Sequence, residues 1–566
     1  MKFSELPYER INFSKVKQQA EELVQNLSDA KDFLTAERVF LEWDKLSSLI
    51  STASSLANVR HTINTEDVFY AEEKDYYDEI SPQYQELSQN FIKVMLETPF
   101  RKDFETKYGD LYFKNAEIEM RTFTPSMIAD LQQENRLVSE YVKLIASAQV
   151  EFEGETLTLA QMTPHMQSTN TEKRIAAWNA YGSFFMNHAE QFDSIFDQLV
   201  TIRTKLSQTL GHKNFIALGY DRMTRNSYNE KDVEKFREAV QKHLVPVVTR
   251  LKQEQAKRNG VAFPMKYPDA EIKFPSGNAK PTGTPDEILA YGQKLYRELS
   301  PETAEFIDFM MENELFDVVS RKGKASGGYC TEFSEYKSPF VFANFNGTAG
   351  DIEVITHEAG HAFAAYQARN IVPLENRQPT MESAEVHSMS MEFFAWPWCE
   401  GFFGNQTQKF YYQHLEGALT FIPYGTMVDH FQHEIYKNPE MTPTERHQLW
   451  SELEKKYRPW YQDTETPFYK DGRFWQRQIH IYEMPFYYID YCLAQTVALQ
   501  FWATMQENRE DAWKRYMKFV SKAGMLTFDG LVKTADMTSP FNDSALKDVA
   551  DAATKWLNQF DQSTLM

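Results

Sequence analysis

The chain has 566 residues, 42% apolar, 25% charged and 14% aromatic, a balance that fits a folded globular protein with a large buried core and excludes a disordered or fibrous one. Against 81 Asp and Glu stand 60 Lys and Arg, and the resulting net charge of −21 disfavours nucleic acid phosphates and anionic membrane surfaces as partners. The first residues hold no apolar stretch of signal-peptide length and no later segment approaches the ~18 apolar residues of a membrane span, so a soluble, cytoplasmic protein is expected.

The amino-terminal third reads as packed helices. Ser14 is the expected cap of a first helix in which Val16, Ala20, Leu23 and Leu27 share one face, and Val39, Trp43, Leu46 and Ile50 repeat the pattern. Residues 65–80 mix acids with Phe69, Tyr70, Tyr76, Tyr77 and Ile80, which predicts a helix with a solvated acidic side and a buried aromatic face. From Ala262 to Pro285, prolines and glycines interrupt any helix, and a short strand is expected at Glu271–Phe274. Thr284-Pro285, Ser300-Pro301 and Thr442-Pro443 then each start a helix, with a capping hydroxyl, proline in the first turn and acids set against the helix dipole. The clearest strand is Phe340–Phe345, closed by the Asn346-Gly347 turn, so a small sheet is expected beside the next helix. Cys330, Cys399 and Cys492 are widely spaced and form no CxxC pair, as buried free thiols in a reducing compartment do.

That next helix contains His357-Glu358-Ala-Gly-His361 within an apolar run. At 3.6 residues per turn the two histidines project from one face, where both imidazoles can reach one metal ion at roughly 2.0–2.1 Å. Glu358 can reach water at that ion without being a ligand, as a general base must. A catalytic zinc takes three protein ligands, and no third histidine follows at short spacing. The segment Thr380–Phe394 supplies the remaining candidates. Glu385 and Glu392 are seven residues apart on one helix face among Met and aromatic residues, so one reads as a ligand and the other as its support. Periodicity turns the competing His387 away from Glu385.

The sequence resembles the thimet oligopeptidase and oligoendopeptidase F metallopeptidases. The resemblance rests on Ser338–Thr348, His357–His361, Ala384–Glu392 and His480–Tyr491, and is nearest to the shorter bacterial members, including the Pz peptidases that cleave collagen-derived oligopeptides. It implies a mainly α fold with two helical lobes around a deep channel and a small sheet beside the zinc helix, divided about residues 1–180 and 181–566. It implies one zinc ion held by His357, His361 and Glu385, with Glu358, His480 and Tyr491 catalytic. Substrate contacts are expected at Tyr487, Tyr488 and Gly328, and along the strand at Phe342 and Ala343, whose backbone could pair with an extended peptide. Larger relatives carry glycines in the tyrosine-bearing loop, where this chain has Pro485, Phe486 and Ile489. The implied activity is endoproteolysis of oligopeptides. A metallocarboxypeptidase, which needs a cleft arginine for the free carboxylate, and a non-catalytic peptide binder with structural zinc are the alternatives.

Overall fold

The computed structural model describes residues 1–462 and 465–565, and most of them are helical. The first helix, α1 (Phe13–Ser28), is capped by Asn12, whose side-chain oxygen accepts from the Lys15 amide, so the start lies two residues before Ser14. It buries Val16, Ala20, Leu23 and Leu27 against α2 (Phe33–Ile63) and α3 (Val68–Glu97). These helices share an apolar core drawn from residues between Ile11 and Phe113, separate from the principal core of the molecule. In α3 the expected aromatic face is only partly buried: Tyr77 and Ile80 face inward, but Phe69 is 53% exposed. The helix is held instead through an acid, because Glu73 is buried and receives the Arg10 guanidinium and the Tyr8 hydroxyl.

Glu271–Phe274 forms no strand. Side chains satisfy its backbone where a neighbouring strand would: Gln255 donates to the carbonyls of Ala270 and Ile272, Arg258 to that of Lys273, and Asn278 bonds Glu271 and Lys273. The three Thr-Pro and Ser-Pro starts do open helices, with the hydroxyls of Thr284, Ser300 and Thr442 each capping an amide three residues on.

Two small sheets are present among the described residues. One is the hairpin β1 (Val150–Phe152) and β2 (Glu155–Leu157). The other comprises β3 (Phe316–Val319), β4 (Tyr329–Phe333) and β5 (Ser338–Phe345) in the order β3-β5-β4, with β3 parallel and β4 antiparallel to β5. The strand expected to receive substrate is therefore the middle one. Phe342 lies between Asp317 and Tyr329, and the Ala343 carbonyl accepts from the buried Lys324 ammonium. Neither residue has a free backbone edge or an exposed side chain, which corrects their assignment as substrate contacts. The outer strands are β3 and β4, and β4 is entered through the exposed residues Ser326, Gly327 and Gly328.

From β5 the chain turns at Gly347, where the Asp351 carboxylate accepts from the amides of Asn346 and Gly347 at 2.8 Å each, and enters α4 (Gly350–Ala368). This helix packs on α5 (Met381–Phe394), which packs in turn on α7 (Tyr488–Glu507), itself in contact with the long α6 (Thr407–Lys437). The approach of α4 to α5 requires glycine: a Cβ on Gly360 would lie 2.6 Å from Ser388 Cα. Among the described residues no helix is long and apolar enough to cross a membrane.

Gly360→Ala should cost about 1–3 kcal/mol of stability, because backbone rather than a movable side chain blocks the methyl group. Gly417→Ala in α6, where nothing lies within 4 Å of the added carbon, should be neutral or slightly stabilising. Denaturant unfolding of both variants measures the contrast, and equal effects would contradict the packing argument.

Candidate metal centre

His357 and His361 stand one turn apart on α4 with ring centroids 5.0 Å apart and planes at 80°. Glu385 on α5 meets both: its Oε2 lies 3.1 Å from His357 Nε2 and 3.3 Å from His361 Nε2. The three side chains can present ligand atoms that all lie within 4.8 Å of one another. Two imidazole nitrogens and a carboxylate oxygen in a largely buried site suit a divalent transition metal such as zinc.

Hydrogen bonds behind these residues test that fit. Trp396 Nε1 can only donate, and it donates to His414 Nδ1 at 2.9 Å, so His414 carries its proton on Nε2 and presents it to Glu392 Oε2 at 2.8 Å. The other oxygen of Glu392 lies 2.7 Å from His357 Nδ1 and accepts the proton there, which aims the Nε2 lone pair of His357 at Glu385 and His361. Glu385 is fixed as well, receiving Ser388 Oγ on Oε2 at 3.1 Å and the Tyr487 hydroxyl on Oε1. Electrostatics agree. Burial opposes charge on His357, yet Glu385 and Glu392 push its pKa well above the ordinary imidazole value. Burial likewise disfavours charge on Glu385, while His361 and His357 hold it below the usual carboxylate range. Positive charge is favoured at the meeting point of these groups, and the donor set fits a bound cation.

Glu358 lies beside the cluster, 7% exposed, and its Oε2 has no hydrogen-bond partner. Burial raises its pKa, an effect that His357 and His361 partly offset. A Cβ on Gly328 would stand 3.4 Å from Glu358 Oε1, so the entry to β4 passes directly over this carboxylate. His387 is buried on the other side of α5 against Phe519, with the rings 5.4 Å apart, and takes no part in the cluster. Cys330 is half-buried and unpaired, and burial pushes its thiol well above the ordinary range, which does not suit a nucleophile.

Facing the metal ligands is the segment 474–491. Tyr424 donates to Gln478 Oε1 at 2.8 Å, and the Gln478 amide donates to His480 Nδ1 at 2.8 Å. His480 therefore carries its proton on Nε2, 3.2 Å from the Tyr491 hydroxyl. Burial lowers its pKa to about 4, so at neutral pH it is an uncharged donor. Tyr491 is half-buried. Tyr487 and Tyr488, expected at the substrate, are both buried and serve elsewhere: Tyr487 holds Glu385, and the Tyr488 ring packs 5.0 Å from that of His480 and 5.8 Å from that of Tyr424.

The turn before these tyrosines depends on Phe486, whose φ is 69°. A bulky residue in the left-handed region is strained by roughly 1–3 kcal/mol and needs compensation. Here its N–H donates to Gln432 at 2.9 Å, its carbonyl accepts from Arg225, and its ring fills a niche over Gly219, where a Cβ would stand 2.5 Å from the ring. Arg225 also pairs with buried Asp490, which receives the Tyr228 hydroxyl. Neither Arg225 nor His414 carries a sequence signal of its function, because each acts across a fold of more than 20 residues.

Residues 300–550 match the peptidase family M3, and residues 3–123 match the M3 N-terminal domain. A solved Pz peptidase A is 46% identical with a TM-score of 0.98 over 99% of this chain and 100% of its own. A structure designated oligoendopeptidase F is 44% identical, also with a TM-score of 0.98, over the full length of both chains. The oligopeptidase PepF of Bacillus subtilis (strain 168) is 24% identical over 564 residues, spanning 92% of this chain and 81% of that protein.

Glu392→Ala should weaken metal binding by about 10–100-fold by freeing the His357 ring while leaving all three ligands in place. Competition of the purified protein with a chromogenic chelator measures this, and an unchanged affinity would remove Glu392 from the site.

Proposed function

The chain belongs to peptidase family M3, and from that premise we propose that it is a zinc-dependent endopeptidase of short oligopeptides, collagen-derived ones among them, working in the cytoplasm. One observation carries the reading: a three-ligand cluster with a buried carboxylate oxygen of Glu358 free beside it. A structural site would close with a fourth protein ligand, and the cluster offers three.

The peptide would add as a strand along the free edge of β4, where Gly328 lets its backbone pass close over Glu358. Main-chain pairing recognises any sequence in extended form, which suits oligopeptides better than folded proteins. Zinc held by His357, His361 and Glu385 supplies Lewis acidity, polarising the scissile carbonyl and acidifying water. Glu358 takes the proton from the attacking water and delivers it to the leaving nitrogen. His480 Nε2–H and the Tyr491 hydroxyl donate to the carbonyl oxygen as it gains charge. Glu392, Ser388 and Tyr487 keep the ligands oriented throughout. Three cysteines without disulfides and a net charge of −21 support a reducing compartment and a substrate other than nucleic acid.

Purified enzyme should cleave an internally quenched oligopeptide at an internal bond, lose that activity to a chelator and regain it with zinc. Glu358→Gln should reduce kcat by about 10²–10⁴-fold with metal binding retained. Cleavage that survives either treatment would refute the mechanism, and release of only the terminal residue would favour a carboxypeptidase.

A further inference from the structure

The strand beside Glu358 has free main-chain groups on every second residue, and the bonds of its neighbour identify them. Val341 of β5 donates its N–H to the Leu315 carbonyl at 2.9 Å. The Ala343 carbonyl accepts from Lys324, whose ammonium also bonds the Asp317 and Val319 carbonyls of β3 at 3.1 and 3.0 Å. Main-chain groups alternate in direction along a strand, so Val341 and Ala343 turn theirs to β3, and Phe342 turns its own to Tyr329 of β4. On β4, Tyr329 and Thr331 therefore bond inward, and the N–H and C=O of Gly328 and Cys330 point away from the sheet.

The last regular pair, Tyr329 with Phe342, falls one residue short of Gly328. The next inward position is Gly327, but its φ of 89° takes the backbone out of the ladder. Asn344, which follows on β5, closes the gap with its side chain: Nδ2 donates to the Gly327 carbonyl at 2.8 Å and to the Ala325 carbonyl at 2.9 Å. Both acceptors are carbonyl oxygens, so the nitrogen end of the amide is fixed and both of its hydrogens are used. The segment before Gly327 is held from the end of α2, where the Thr62 carbonyl accepts from the Ala325 N–H at 2.8 Å and Thr65 donates its N–H and hydroxyl to the Gly323 carbonyl at 2.6 and 2.7 Å. Ser326, Gly327 and Gly328 are exposed and bring almost no side chain to pack, so these bonds keep their backbone in place.

We propose that Asn344 is a positioning residue for the substrate. By holding Ala325 and Gly327 it fixes Gly328 over Glu358, and the outward groups of Gly328 then set which peptide bond stands before that carboxylate. Without Asn344 the pairing edge begins at Cys330, one strand repeat further on, and a peptide paired there is free to slide by whole repeats. This role rests on the peptidase reading and on pairing along β4, and its test separates them. Zinc-loaded wild type, Asn344→Ala and Asn344→Asp are given one internally quenched oligopeptide and a series in which a single backbone N–H away from the cut is replaced by an ester oxygen, and the products are mapped by mass. In wild type the ester should raise KM by about 10–100-fold at alternate positions and have little effect between them. Both variants should raise KM for the parent peptide by a similar factor, lose the alternation and cut at more than one bond, while competition with a chelator finds zinc affinity unchanged. A variant with lower kcat but the wild-type ester pattern and cut site has only a structural defect, and that result would overturn the role of Asn344. Should neither variant fold, Asn344→Gln, which keeps the amide on a longer arm, should show the same losses in smaller degree, and a wild-type pattern in it would overturn the role as well. A wild type that cleaves every ester equally well contradicts the pairing on β4, and cleavage of none of the peptides, the parent included, removes the peptidase reading.

Discussion

The approach of two helices at Gly360 and Ser388 is the constraint on which the centre depends. Only without a Cβ at position 360 can α5 come near enough to α4 for one carboxylate oxygen to lie 3.1 and 3.3 Å from two imidazole nitrogens. His357, His361 and Glu385 are side chains of limited reach, so backbone placement sets the geometry of the cluster directly. Close packing then forces the surroundings of Glu385 to be apolar or fully hydrogen-bonded, which is why Ser388 and Tyr487 both donate to it.

Proton polarity is fixed on both sides of the cleft by groups with one available role. On the metal side the indole of Trp396, a donor only, sets His414, Glu392 and His357 in sequence. On the opposite side the Gln478 amide, turned by the Tyr424 hydroxyl, leaves His480 Nε2 as a donor. The two histidines end with opposite assignments, a lone pair of His357 facing Glu385 and an N–H of His480 facing the Tyr491 hydroxyl. An imidazole has no intrinsic preference strong enough to keep these apart, and the distinction resides in residues that touch neither metal nor peptide.

Much of this site was legible in the sequence. His357, Glu358 and His361 follow from helix periodicity, Glu385 and Glu392 from a seven-residue spacing in apolar surroundings, and His480 and Tyr491 from the family resemblance. All of these converge in the structure. Sheet order was not legible: Phe340–Phe345 reads as a strand from its aromatic and β-branched run and the Asn346-Gly347 turn, but its burial on both faces is the mark of a central strand with no edge to offer. The edge strand beside Glu358, β4, has a mixed pattern and follows a run of small residues, so periodicity gives it no signal. Phe486 is the converse case. Nothing in its type announces a left-handed conformation, which is imposed by Gln432, Arg225 and the niche over Gly219.

The segment 474–491 is tied to the first half of the chain by buried side chains: Tyr141 donates to the Gln476 carbonyl, Arg203 to those of Ile481 and Tyr482, and Arg225 to that of Phe486. These contacts join residues between 261 and 335 positions apart. Loop closure over such lengths is slow and comes late in folding. The metal helix and its ligands lie within some 30 residues of one another and can assemble earlier. The placement of His480 and Tyr491 therefore waits on the first half of the chain closing over the second, whereas His357, His361 and Glu385 come from one short stretch.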